Sequence, residues 1–135
     1  VIGSAHAAGC SIEKSCEDFG FKVHVDTMRM ADLMSKADIA LGAAGASSWE
    51  RCCLGLPTIL VSVAENQVNI AKEIDSQGAG LYLGPVEMLK LLDFERAIEE
   101  FLFDRRELSK MSKCAAELTD GQGVKYVIGS METFT

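Results

Sequence analysis

The sequence predicts an α/β domain, a Rossmann-like parallel sheet of about five strands flanked by helices. Three observations carry that expectation. Short β-rich runs alternate with helix-period segments over the first two-thirds of the chain, in units of roughly 25 residues, the rhythm of parallel strands wound with helices. One of the runs, Ile39-Ala40-Leu41, is apolar on successive residues, as a strand buried on both faces is. The 135 residues are 48% hydrophobic and 24% charged, enough for one core of ordinary globular composition and too little chain for two.

The predicted strands cover residues 1–5, 21–25, 38–42, 58–63 and 80–83. Between the first two, Ile12, Cys16 and Phe19 fall at i, i+4 and i+7; Ser11 can cap the start of that helix and Gly20 can end it. Thr27 can cap a second helix, striped by Met30, Leu33, Met34 and Ala37. After the third run comes a loop of small residues, Gly42-Ala43-Ala44-Gly45-Ala46-Ser47-Ser48. It feeds a helix with Trp49, Cys52 and Cys53 on its apolar positions, which Gly55 and Pro57 stop. Asn66 can cap the helix carrying Val68, Ala71 and Ile74. Residues 86–135 read as a helical tail, with Asp93 and Asp104 as caps and a last helix over 124–134. All of it is expected to form a single domain, residues 1–135.

Composition narrows the function. Thirteen Lys and Arg against twenty Asp and Glu leave a formal charge of −7, spread along the chain, which argues against binding a nucleic-acid backbone. No apolar run approaches the roughly 20 residues of a membrane span. The five cysteines, Cys10, Cys16, Cys52, Cys53 and Cys114, are odd in number and lack CxxC or His-spaced partners. They read as reduced cytoplasmic thiols, with no metal site and no cofactor implied. Val1 opens without a basic region or an initiator Met, so no targeting signal is expected and the sequence reads as a piece of a longer chain.

The small-residue loop leaves a strand at its carboxyl end and opens a helix. Such a turn offers free N–H groups and the positive end of a helix dipole to an anion, most often a phosphate. It matches neither the Walker pattern nor GxGxxG, and taken alone the loop reads first as tight packing between strand and helix with Ser47 as a plain N-cap. Glu50, three residues after Ser47, completes a capping box or, alternatively, accepts hydrogen bonds from both hydroxyls of a ribose. Asn66 is a helix cap, or its amide holds a substrate oxygen or orients a water, with Gln67 beside it on sugar or phosphate. His6 follows a strand on the ligand side; His24 reads as the exposed face of a strand. The Cys52-Cys53 pair is reactive only if helix position lowers a thiol pKa.

The stretch Ala31-Asp32-Leu33-Met34, Ala37-Asp38-Ile39-Ala40-Leu41-Gly42-Ala43-Ala44-Gly45-Ala46-Ser47-Ser48-Trp49-Glu50-Arg51, Leu56-Pro57-Thr58, then Glu65-Asn66-Gln67 and Ala71, resembles a particular group. It is similar to the carboxyl-terminal domain of the UDP-sugar hydrolase of pseudaminic acid biosynthesis and its spore-coat polysaccharide relatives. More loosely it resembles the same domain of the lipid-linked GlcNAc transferase of peptidoglycan synthesis. The resemblance covers roughly residues 1–84 and implies the C-terminal half of a B-type glycosyltransferase (GT-B) fold. By that resemblance the substrate is a UDP-linked diacetamido-trideoxyhexose, and water displaces UDP at the anomeric carbon with inversion. Ala44, Gly45, Ala46, Ser47 and Ser48 would hold the diphosphate, Glu50 the ribose, and Asn66 would stand near the sugar in a catalytic role.

The family's amino-terminal domain, with its water-activating histidine, has no counterpart in the sequence and is expected as a partner in cis. The chain alone is therefore expected to be inactive, because a cleft site needs both walls. Two other readings stay open: a glycosyltransferase using a UDP-sugar donor, and a non-catalytic module fused to a sialic-acid-type nucleotidyltransferase. A homodimer through uncovered apolar surface is a further expectation.

Overall fold

The computed structural model describes residues 1–4 and 9–132; His6 and the end of the predicted last helix lie outside them. The chain divides into two compact units, Val1–Leu33 and Met34–Thr135.

In the first unit, helix α1 (Gly9–Asp18) starts two residues before Ser11. Gly20 ends it at φ +74°, and the Phe21 N–H reaches the Cys16 carbonyl at 2.8 Å, the closure a C-terminal glycine permits. Among the described residues the runs expected as the first two strands meet only in an isolated parallel bridge, Ile2 with Val25. Ile2 N–H donates to His24 O at 2.9 Å and Asp26 N–H to Ile2 O at 3.1 Å. The ladder stops there for a local reason. Asp26 takes φ +45°, a left-handed turn that aspartate tolerates better than most residues, and its carboxylate accepts the Ser4 N–H at 2.9 Å. His24 is half-buried rather than exposed. Thr27 Oγ1 accepts the Arg29 N–H at 3.1 Å, ahead of the short helix α2 (Met30–Met34).

The second unit holds a parallel sheet of three strands, not five: β1 (Ala40–Ala43), β2 (Thr58–Ser62) and β3 (Leu81–Pro85), in that order. Ala40 to Ala43 pair with Thr58 to Val61 in unbroken register. Between β2 and β3 the register slips after Leu60, so that Val61 faces Gly84. Gly84 absorbs the slip at φ +122°, a backbone state that side chains with a Cβ rarely adopt.

Helices α3 (Ser47–Cys53) and α4 (Glu65–Ser76) cross between the strands. All five residues of β2 are buried, because helices cover both faces of the sheet. Adjacent strand residues point to opposite faces, and the core divides accordingly. Leu60 packs with Ala44, Cys52, Ala71, Ile74 and Ala115; Ile59 packs with Ala97, Phe101 and Met111. The residues after Pro85 are thus more than a tail. Helix α5 (Leu91–Phe103) covers one face, and α6 (Arg105–Leu118) reaches both clusters through Met111 and Ala115.

Asp104 caps α6 as expected, accepting the N–H groups of Arg106 and Glu107, each at 3.0 Å. Asp93 is instead three residues inside α5's entry, where its carboxylate accepts the Lys90 N–H at 2.8 Å. A last helix, α7 (Gly123–Glu132), keeps its apolar side chains exposed. No helix among the described residues is long and apolar enough to cross a membrane.

Candidate functional site

Parallel strands bring their carboxyl ends to one edge of a sheet, the edge where open α/β sheets bind ligands. β1 ends at Ala43 and β2 at Ser62, and each feeds a helix. Since the two strands pair directly, the turn into α3 and the turn into α4 are neighbours. All the residues that the sequence singles out as binding or catalytic, from Ala44 to Gln67, therefore meet on one edge of the second unit.

Within that edge the side chains divide into two sets. Ala44 is fully buried and its N–H donates to Val61 O at 2.9 Å, extending the sheet ladder. Ser48 also points inward: it is 1% exposed, and its hydroxyl lies 3.4 Å from Ala43 O. Between them, the N–H groups of Gly45, Ala46 and Ser47 find no acceptor among the described residues. Three consecutive amides at the mouth of a parallel sheet are thereby left to bind something else.

The capping explanations do not hold here. The N-cap position of α3 is Ala46, in helical conformation and without a side-chain hydrogen bond; Ser47 is the first residue of the helix, and no capping box with Glu50 forms. Glu50 is exposed and has no hydrogen-bond or ion-pair partner among the described residues. At α4 the N-cap is Ala64, so Asn66 sits inside the first turn with an exposed amide that bonds to none of them. Gln67 is committed on one side, its Oε1 accepting the Val63 N–H at 3.0 Å. Its Nε2 lies 3.8 Å from where a Cβ on Gly45 would stand, so it joins the two turns.

The periodicity of the sequence also contains a residue that its functional reading passed over. Ser48, Arg51 and Cys52 are the buried side of α3, spaced i, i+3 and i+4, and one of them is an arginine. Arg51 is 8% exposed. Its Nη2 donates to Ala43 O at 2.8 Å and to Ser48 Oγ at 2.9 Å, while its Nε is buried without a partner. Burial pulls the guanidinium below its ordinary pKa, with Cys52 and Glu50 pulling the other way. Burial likewise pushes the Cys52 thiol up, which keeps it protonated and poorly nucleophilic.

Among the described residues no group of His, Cys, Asp and Glu could hold a metal ion. The described cavities lie away from this edge. One of about 680 Å³ opens at the amino ends of the strands, beside Asp38, Pro57 and Arg105. Another of about 480 Å³ lies between Gly80 and the α5–α6 pair. The turns into α3 and α4 form a rim along the carboxyl edge of β1 and β2.

Residues 10–126 match the family described as the glycosyltransferase family 28 C-terminal domain. The chain is also 32% identical, over 136 aligned residues, to the spore coat polysaccharide biosynthesis protein SpsG of Bacillus subtilis (strain 168). That alignment takes in 98% of this chain and 39% of the relative. The chain thus spans about two-fifths of the length of this curated relative.

Proposed function

The chain belongs to the glycosyltransferase family 28 C-terminal domains, and from that premise we propose that its carboxyl-edge rim binds a UDP-sugar through the diphosphate. The observation that carries this reading is the run of three unpartnered amides at Gly45, Ala46 and Ser47. Backbone N–H groups at a helix start suit the non-bridging oxygens of a phosphate, which need donors and no side chain in the way. Glu50, exposed and unengaged one turn into α3, offers two carboxylate oxygens to the paired hydroxyls of ribose. Asn66, across the rim on α4, is free to hold a sugar oxygen or a nucleophile.

In this reading the bond between the anomeric carbon and the diphosphate oxygen breaks, and its electron pair leaves with UDP. Donors set beforehand around the diphosphate stabilise the charge that grows there as the bond lengthens. The family name favours transfer to an acceptor hydroxyl. The likeness of residues 37–57 to the hydrolase group favours water as the acceptor instead, releasing the free sugar in a nonulosonic-acid pathway. Both readings share the UDP-binding half and differ in a wall that the rim does not supply.

The test is a titration of UDP followed by amide NMR, on the wild type and on Glu50→Ala. UDP is expected to shift the amides of residues 45–47, and Glu50→Ala to weaken it about tenfold without unfolding the chain, the size of one lost charge-assisted hydrogen-bond pair. Unmoved amides at millimolar UDP would overturn the reading.

A further inference from the structure

We infer that the cavity at the amino ends of the strands is a second binding site, for a small organic zwitterion: an ammonium and a carboxylate held apart by an apolar body, as in a short peptide with free ends. It lies at the opposite end of the strands from the carboxyl-edge rim and is independent of the nucleotide reading.

The walls come from three places. Residues 37–39 lead into β1, Gly55 and Pro57 lead into β2, and the last turn of α5 with the first turns of α6 completes the lining, around about 680 Å³. That volume falls within the range of small-molecule sites. The wall at Gly55 is already in place: the residue turns at φ +61°, so close to α6 that a Cβ on it would stand 3.1 Å from Ser112 O. Ile39, Leu102 and Leu108 supply apolar surface, which a hydrocarbon body can cover.

The polar lining is uncommitted and carries both signs of charge. Arg105, Ser109 and Ser112 fall at i, i+4 and i+7 of α6, one face of the helix, along about 10 Å at 1.5 Å per residue. Asp38 lines the same cavity from the segment ahead of β1. None of these four side chains has a hydrogen-bond or ion-pair partner among the described residues. The ion pairs found there are Arg29–Asp32 and Lys110–Glu107, so Asp38 and Arg105 share a cavity without closing on each other. A lone exposed charge is served by water and implies no ligand. A carboxylate and a guanidinium on one concavity, with hydroxyls and apolar surface beside them, form the mixed lining of a site for an organic ligand. The guanidinium can hold a carboxylate through paired N–H groups, the hydroxyls can orient it, and Asp38 can accept an ammonium. A ligand with one charge would leave the other group unanswered, which is why the site prefers both.

The experiment titrates the 135-residue chain with three peptides, followed by amide NMR: leucyl-leucine, its N-acetyl form, which keeps only the carboxylate, and its C-terminal amide, which keeps only the ammonium. Leucyl-leucine is expected to shift the amides of residues 37–39 and 108–112 saturably, with a Kd of about 1 mM. Each capped form should bind about fivefold more weakly, the worth of one exposed charge contact. Asp38→Asn should weaken leucyl-leucine and the amide form about fivefold and leave the N-acetyl form unchanged. Arg105→Gln should weaken leucyl-leucine and the N-acetyl form by as much and leave the amide form unchanged. Both side chains are exposed, so both variants should keep the wild-type spectrum; if either does not fold, the capped peptides on wild type decide. Equal affinity for all three peptides would make the cavity an apolar groove and overturn the inference. Shifts that lie elsewhere, or that do not saturate by about 50 mM, overturn it too, as does a loss in each folded variant that is the same for every peptide.

Discussion

A methyl group on residue 42 would stand 2.8 Å from Nη1 of Arg51, nearer than packed heavy atoms come. The guanidinium cannot retreat cheaply, since its other nitrogens are held at Ala43 O and Ser48 Oγ or buried. Gly42→Ala is therefore expected to cost about 1–3 kcal/mol, the usual range for overpacking a tight site, measured as a shift in the urea midpoint. Gly45→Ala is the control. Its nearest neighbour would be Gln67 Nε2 at 3.8 Å, an ordinary contact, so stability should stay within about 0.5 kcal/mol. Equal costs at the two positions would show that Arg51 does not set the packing. From sequence, the small residues of this loop read alike, as space for a ligand. What separates them is a side chain nine residues further on, and only the i, i+3, i+4 stripe of Ser48, Arg51 and Cys52 hints that the arginine turns inward.

At the scale of elements, local sequence predicts best where one rule acts without competition. The alternation from β1 to β3 was legible because each strand is a short apolar run bounded by Gly or Pro and joined by an amphipathic helix. Residues 1–5 and 21–25 have the same local character but lack covering partners: Phe21 is 67% exposed and Val25 41%, and Asp26 ends their pairing after one bridge. Ser47 and Asn66 look like caps by residue type, yet the chain starts each helix one or two residues earlier. Helix α7 depends on a cap of a different kind. The Asp120 carboxylate accepts the Gln122 N–H at 2.9 Å and the Tyr126 hydroxyl, tying the helix entry to its first turn. The Tyr126 hydroxyl, and then the Gln122 amide, hold the Asp120 carboxyl below the usual aspartate pKa. A carboxyl lowered in the folded state adds stability above its unfolded value, and that contribution fades as pH falls through the folded one. Order in α7, followed by amide protection or helical chemical shifts, is expected to hold above about pH 4 and decline below it. Asp120→Asn should remove that step, and Tyr126→Phe should move the Asp120 titration back toward the ordinary range. An acid transition unchanged in both variants would assign it to other carboxylates.

For the whole molecule, stability should follow the division into Val1–Leu33 and Met34–Thr135. The second unit closes a core on both faces of β2, and residues such as Ile59, Leu60 and Ile74 are at most 1% exposed. Opening β2 means separating its cover on both faces at once, which approaches global unfolding. Among its described residues the first unit has one bridge in place of a sheet, and Phe19, at 78% exposed, adds little to any core. Amides that open with little loss of buried apolar surface exchange through small local motions, while core amides wait for the global event. In hydrogen exchange on the intact chain, the β2 amides are expected to report the full unfolding free energy. Those of α1 should exchange at least about a hundredfold faster, with a weaker dependence on denaturant, because less surface is exposed in their opening. Equal protection and equal denaturant slopes in α1 and β2 would mean that both units unfold as one. The unequal outcome has a consequence for the rim at residues 44–67: it is built wholly on the second unit, so denaturant that opens α1 should leave its UDP-induced shifts intact until β2 itself unfolds.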